Sequence, residues 1–223
     1  MTRKSEKQAS SETVEDFRDK IVNAYIKYLL INGKNPESIY VFCESLGMNE
    51  ADFYREFSSF ETLQKEIWNN FIVTTISTLR VTPEYSDYSV KEKLLSFYYT
   101  FMEVLKQNRS LVLYFFQQQN KHDIIPSFLK NTHKSYLDYV GVLVEEGLQN
   151  GEFKKRPYLS EKYADALWVQ FLFLLRFWVS DESKNFESSD ALIEKTVKLS
   201  FELLGESPLD SFIDLAKFLY QNK

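Results

Sequence analysis

Apolar side chains recur every three to four residues over most of the chain, the repeat of amphipathic helices. From about Val14 to Ile31, Phe17, Ile21, Ala24, Tyr25, Tyr28 and Leu29 mark one face of a first helix. Gly33 closes it as the residue beyond its C-terminus. Asn35-Pro36 restarts the chain, with Asn35 as N-cap and Pro36 at the first position of a short second helix reaching Leu46, where Gly47 stops it. Asn49 caps a third helix, Glu50 to Phe57, and Ser58 followed by Glu61 reads as a capping box for a long fourth helix to about Leu79. A polar break at Pro83–Tyr88 precedes a second capping box, Ser89 with Glu92, which opens a helix to about Gln107. Further helices are predicted over Leu111–Gln119, Ser127–Asn150, Ser160–Ser180 and Asp190–Leu204, with a last amphipathic piece over Leu209–Tyr220. The fold class expected is all-α: three short helices, then a bundle of longer ones.

Composition narrows this further. Six Gly and five Pro in 223 residues are too few for the turns of a β-sandwich or barrel. A single cysteine, Cys43, forms no internal disulfide, so a disulfide-stapled secreted domain is excluded. The polar N-terminus, MTRKSEKQASSETVED, has no apolar signal core. The most apolar run, Trp168 to Val179, is broken by Gln170 and Arg176 and is too short to span a bilayer. A cytoplasmic protein without a membrane span is the expectation. The net charge of -5 excludes a globally basic nucleic-acid binder, though not a local basic patch.

The stretch SIYVFCESLGMNEADFYREF, Ser38 to Phe57, has the grammar of a helix-turn-helix. Ile39 and Phe42 point inward, Cys43 is small enough to let two helices cross closely, Gly47 makes the turn, and Phe53, Tyr54 and Phe57 anchor the second helix. With IVNAYIKYLLINGKN before it, Tyr54-Arg55-Glu56-Phe57 at its end and Ser59-Phe60-Glu61-Thr62-Leu63 after it, this stretch resembles the TetR family of bacterial transcriptional regulators. VEEGLQNGEFKKR, Val144 to Arg156, and the region FWVSDESKNFESSDALIEKTVKLSFELL are similar to C-terminal parts of that family.

The resemblance implies a disordered arm over 1–12, a helix-turn-helix domain over 13–58 and a ligand-binding and dimerisation domain over 59–223. It implies a homodimer that binds operator DNA under the control of a small molecule. Glu50, Ala51, Asp52 and Arg55 would face bases; Tyr54, Ser38 and Asn49, with Arg3 and Lys4 of the arm, would complete the DNA-binding surface.

Charge pulls the other way. Residues 35–63 hold Arg55 alone against Glu37, Glu44, Glu50, Asp52, Glu56 and Glu61, where phosphate contacts call for Lys and Arg. The alternative is a lipid- or small-molecule-binding accessory protein of the same fold that has lost DNA recognition.

Aromatics make up 16% of the chain and cluster at helical spacing in Ser96–Leu105, Leu111–Gln119 and Trp168–Trp178. Such stripes build either plain core or the wall of an apolar pocket. The candidate pocket residues are Tyr98, Phe101, Phe116, Gln117, His133 and Gln170, with Arg176 as an anchor for an acidic head or as an ion-pair partner. Trp168, Phe171, Leu175, Trp178, Val197 and Phe201 are the candidates for a twofold interface built from the last two long helices. No catalytic constellation, cofactor motif or metal spacing is present: His122 and His133 are isolated, Cys43 has no base beside it, and there is no phosphate-binding glycine loop. A non-enzymatic, cofactor-free protein is expected.

Overall fold

A computed structural model describes residues 2–119, 125–205 and Phe218, with side chains from Phe17 onward. The described residues are helical, without a strand: α1 (Thr2–Asn32), α2 (Ile39–Ser45), α3 (Glu50–Glu56), α4 (Phe60–Arg80), α5 (Val90–Gln107), α6 (Arg109–Gln118), α7 (Lys130–Asn150), α8 (Tyr163–Ser180) and α9 (Glu187–Leu204). Among the described residues no helix is long and apolar enough to cross a membrane. The chain divides into two compact units, 1–70 with 108–131, and 71–107 with 132–223. The first therefore takes in the start of α4 and all of α6, beyond the boundary at residue 58 that the sequence suggested.

The first unit is built on aromatic edges. The ring of Phe42 on α2 meets Tyr25 at 5.9 Å, Phe60 at 5.6 Å and Phe53 at 6.3 Å, each edge-on. Cys43 beside it is buried, and burial, followed by Glu50 and Glu44, pushes its thiol pKa up. Further along, Trp68 stacks on Phe128 at 4.9 Å and meets Phe115 and Phe116.

Several helix starts differ from expectation. α1 begins at Thr2 rather than Val14, and its backbone runs through the expected arm; no Pro or Gly interrupts that segment. α2 starts after Ser38, whose Oγ accepts the Val41 amide at 3.1 Å. Asn35 does not cap it, because its side-chain oxygen accepts from Tyr25 Oη at 2.6 Å and Gln64 Nε2 at 3.2 Å. Ser59, not Ser58, caps α4 by accepting the Thr62 amide, while Glu61 turns to Lys65. The Ser89–Glu92 box is formed as expected, with Ser89 N donating to Glu92 Oε2 at 2.8 Å and Glu92 N donating to Ser89 Oγ at 3.3 Å. The amphipathic piece Leu209–Tyr220 lies outside the described residues except for Phe218.

In the second unit α9 lies against α5 and α8. Its core holds a polar chain in which the Tyr98 and Tyr136 hydroxyls are 2.9 Å apart and Tyr136 donates on to the Leu167 carbonyl at 3.0 Å. Burial holds both phenols far above their ordinary pKa, so they remain neutral donors and acceptors. Gly147 on α7 lets the chain fold back: Phe153 N donates to its carbonyl at 2.8 Å, and a Cβ there would lie 2.5 Å from the Phe153 ring.

Asp181 joins α8 to α9. It is 6% exposed and accepts from Ser183 N, Ser189 N and Ser189 Oγ at 2.8, 2.9 and 2.6 Å. Burial pushes its pKa up, but these hydrogen bonds outweigh burial and bring it from 3.8 to about 2. A depressed carboxylate pKa gives stability that is fully present above the unfolded value and is lost as pH falls through the folded one. Asp181 is therefore expected to contribute about 2 kcal/mol at neutral pH, lost between roughly pH 4 and 2. Urea unfolding at stepped pH checks this: the wild type should lose that increment over this window, and Asp181→Asn should not.

Candidate functional site

The helix-turn-helix is formed by α2, a turn at Gly47 with φ +64°, and α3. Asn49 precedes α3, and its backbone N–H donates to Asp52 Oδ2 at 3.3 Å, so this carboxylate is engaged in holding the helix start. Arg55 is hydrogen-bonded to the same Asp52. Ala51, Tyr54 and Arg55 are exposed on α3, whereas Glu50 and Asp52 are half-buried. Ser38 is exposed, its hydroxyl engaged in capping α2. The side chains of Arg3 and Lys4 lie outside those described.

Two nearby cations, Arg18 and Lys65, are also matched. Arg18 donates to the Glu56 carbonyl at 3.2 Å, pairs with Glu56 and Glu66 at 3.4 Å each, and lies 4.4 Å over the Phe57 ring. Lys65 pairs with Glu61 at 2.7 Å. The surface left on α2 and α3 combines carboxylates with exposed Tyr40, Val41, Leu46 and Tyr54. Tyr40 and Val41 were not among the expected site residues; their signal was their place off the stripe formed by Ile39 and Phe42.

The expected pocket residues are distributed over both units. Tyr98 and Phe101 are fully buried in the second unit's core, with Phe101 5.1 Å from Phe171. Phe116 and Gln117 belong to the first unit, the former against Trp68 and Phe128, the latter exposed. His133 lies 4.6 Å from the Trp168 ring. Gln170 accepts from Ser200 Oγ at 3.0 Å, and its buried Nε2 has no hydrogen-bond partner among the described residues. Arg176 is exposed on α8, and His122 lies outside the described residues.

A cavity of about 630 Å³ opens elsewhere in the second unit, between the last turns of α4, the turn around Tyr85, the start of α5 and α7. Val73, Val81 and Val142 line it together with Arg80, Tyr85 and Tyr139. The two phenols are hydrogen-bonded to each other, and burial raises both above the ordinary tyrosine pKa. Lys93 on the same wall is buried, and its Nζ lies 2.6 Å from Glu146 Oε1. The pattern of the sequence did not point here, because these positions lie outside the aromatic stripes Ser96–Leu105, Leu111–Gln119 and Trp168–Trp178.

The residues expected at a twofold interface are mostly turned inward. Trp168, Phe171, Leu175, Trp178 and Val197 are buried within the protomer, and Phe201 is half-buried 4.8 Å from Phe153. On the opposite side of the same helices, Val169 and Phe173 of α8 are 65% and 52% exposed, and Leu199 and Leu203 of α9 are 52% and 42% exposed.

The fold recurs in solved structures. A TetR-family transcriptional regulator from Syntrophomonas wolfei is 21% identical with a TM-score of 0.62, over 85% of this chain and 95% of that one. A tetR family transcription regulator from Shewanella sp. PV-4 is 14% identical with a TM-score of 0.60, over 85% and 98%. The fatty acid degradation regulator FadR from Bacillus halodurans is 17% identical with a TM-score of 0.59, over 82% and 94%. No curated protein matches the sequence. The family model described as tetracyclin repressor-like, C-terminal domain, matches residues 93–219. With that match over more than half its length, behind an N-terminal helix-turn-helix, the chain belongs to the TetR family of transcriptional regulators.

Proposed function

We propose that the protein is a homodimeric transcriptional regulator that reads operator DNA through α2 and α3 and is controlled by an apolar small molecule bound in the groove between α4, α5 and α7. The observation that carries this reading is the formed helix-turn-helix, capped at Ser38 and turned at Gly47, with Ala51, Tyr54 and Arg55 exposed on α3. Val169, Phe173, Leu199 and Leu203 supply an apolar strip for a twofold contact between α8 and α9 of two protomers. An effector controls such a protein only by binding its DNA-competent and DNA-incompetent states with different affinity.

Fluorescence anisotropy against the upstream DNA, titrated with salt, tests the reading. Arg18, Arg55 and Lys65 are engaged by carboxylates, and Arg3, Lys4 and Lys7 of each protomer are the arm's candidates for phosphate neutralisation. Six such contacts in a dimer give a slope of log affinity on log salt of about -5. The Arg3→Gln/Lys4→Gln/Lys7→Gln variant should flatten it strongly. Absence of binding even at about 50 mM salt, where phosphate contacts are strongest, overturns the operator reading for that DNA.

The same engaged cations favour a second reading, an accessory protein that presents a lipid or small molecule and uses α2 and α3 as an acidic protein-docking face. Retained ligand binding without DNA binding would select it.

A further inference from the structure

The groove of the second unit carries a more specific chemistry. Val73, Val81 and Val142 are 49%, 79% and 64% exposed, and all three line it. They form a wetted apolar strip of the kind an apolar ligand body covers. The volume of about 630 Å³ lies inside the range of small-molecule sites.

Two cations line the groove, and they differ. Lys93 is buried and already matched by Glu146 at 2.6 Å. Arg80 is exposed in the last turn of α4, and no carboxylate among the described residues lies within 4.0 Å of it. A guanidinium presents paired N–H groups that match a carboxylate with two parallel hydrogen bonds. Tyr85 and Tyr139, hydrogen-bonded to each other and held neutral by burial, add wall surface without negative charge. Asp138 also lines the groove, exposed and without a cation within 4.0 Å among the described residues, so it opposes any second negative charge on a ligand.

We propose that the groove takes an amphipathic monoanion, a carboxylate whose apolar body covers Val73, Val81 and Val142 and whose head pairs with Arg80. This rests on the reading of the groove as the effector site and names the class of effector.

Calorimetric titration of the full chain with three ten-carbon probes tests it: decanoate and decyltrimethylammonium, each below its micelle concentration, and decanol below its solubility limit. Decanoate should bind severalfold more tightly than decanol, one exposed guanidinium–carboxylate pair against an uncharged head. Arg80→Gln should erase that preference and leave decanol unchanged. Asp138→Asn should tighten decanoate severalfold, and Val142→Gln should weaken all probes. Each substitution is at an exposed position, and thermal melts confirm that each variant is folded.

A preference for decanoate that survives Arg80→Gln overturns the proposal, as does tightest binding of the cationic probe with dependence on Asp138. Equal binding of decanoate and decanol, sensitive to Val142→Gln, removes the head-group assignment but keeps the groove as effector site. Binding of none of the probes removes both.

Discussion

Arg156→Met is expected to lower stability by about 3–5 kcal/mol, the scale of leaving buried partners of a charged group unsatisfied. Arg156 is 5% exposed and sits at the end of α9. Its Nη1 donates to Tyr163 Oη at 2.7 Å and to the Leu204 carbonyl at 3.0 Å, and its Nη2 donates to the Gly205 carbonyl at 2.6 Å. The last carbonyls of a helix have no partner within the helix and form its negative pole, so one buried cation meets both needs. Methionine fills part of the volume and takes the guanidinium from the Gly205 carbonyl and the Tyr163 hydroxyl, while the Leu204 carbonyl keeps the Lys154 amide at 2.8 Å. Lysine supplies charge without the fork, so Arg156→Lys should recover only part of the loss. For a domain of this size the methionine variant should melt roughly 6–20 °C lower. A shift of only a degree or two would mean that desolvating the guanidinium cancels its hydrogen bonds.

The second large effect concerns assembly. Sedimentation of the wild type is expected to give a dimer, and Phe173→Glu/Leu203→Glu a monomer at the same concentration. Phe173 and Leu203 are half-exposed apolar side chains on α8 and α9 with no role in the protomer core. Across a twofold axis each substitution enters twice, placing four uncompensated carboxylates in an apolar contact. The dissociation constant should rise about a thousandfold or more, since each 1.4 kcal/mol is tenfold and each unpaired buried charge costs several. A wild type that sediments as a monomer at high micromolar concentration would remove this interface from the proposed function. Unchanged helicity of the variant would show that the protomer is intact.

The sequence carried the helices well, for local reasons. Gly33, Gly47 and Gly151 all adopt the positive φ that ends a helix or turns the chain, and only local residues are needed to recognise that. The Ser89–Glu92 box is likewise a short-range arrangement. Asn35 shows the limit. Asn and Ser cap helices about equally well, but Tyr25 and Gln64, distant in sequence, take the Asn35 side chain. α8 shows a different limit. It is apolar nearly all round, so periodicity does not distinguish the side carrying Trp168, Phe171 and Trp178, which the protomer buries, from the side carrying Val169 and Phe173, which it leaves exposed. Arg156 and Arg176 complete the lesson. The arginine inside an apolar run is exposed, and the arginine in the polar stretch GEFKKR is buried, because α9 returns its C-terminus to that stretch.

Cys43 gives the molecule a built-in reporter. It is the chain's single thiol, it is 1% exposed where α2 meets α3, and its raised pKa keeps it protonated. A thiol reagent reaches it only when that unit opens locally, and the second unit holds no thiol to add background. The rate at which the unmodified protein takes up one label therefore measures the opening free energy of the helix-turn-helix. The same trace, repeated with an effector present, follows how a small molecule changes that opening without any substitution in the chain.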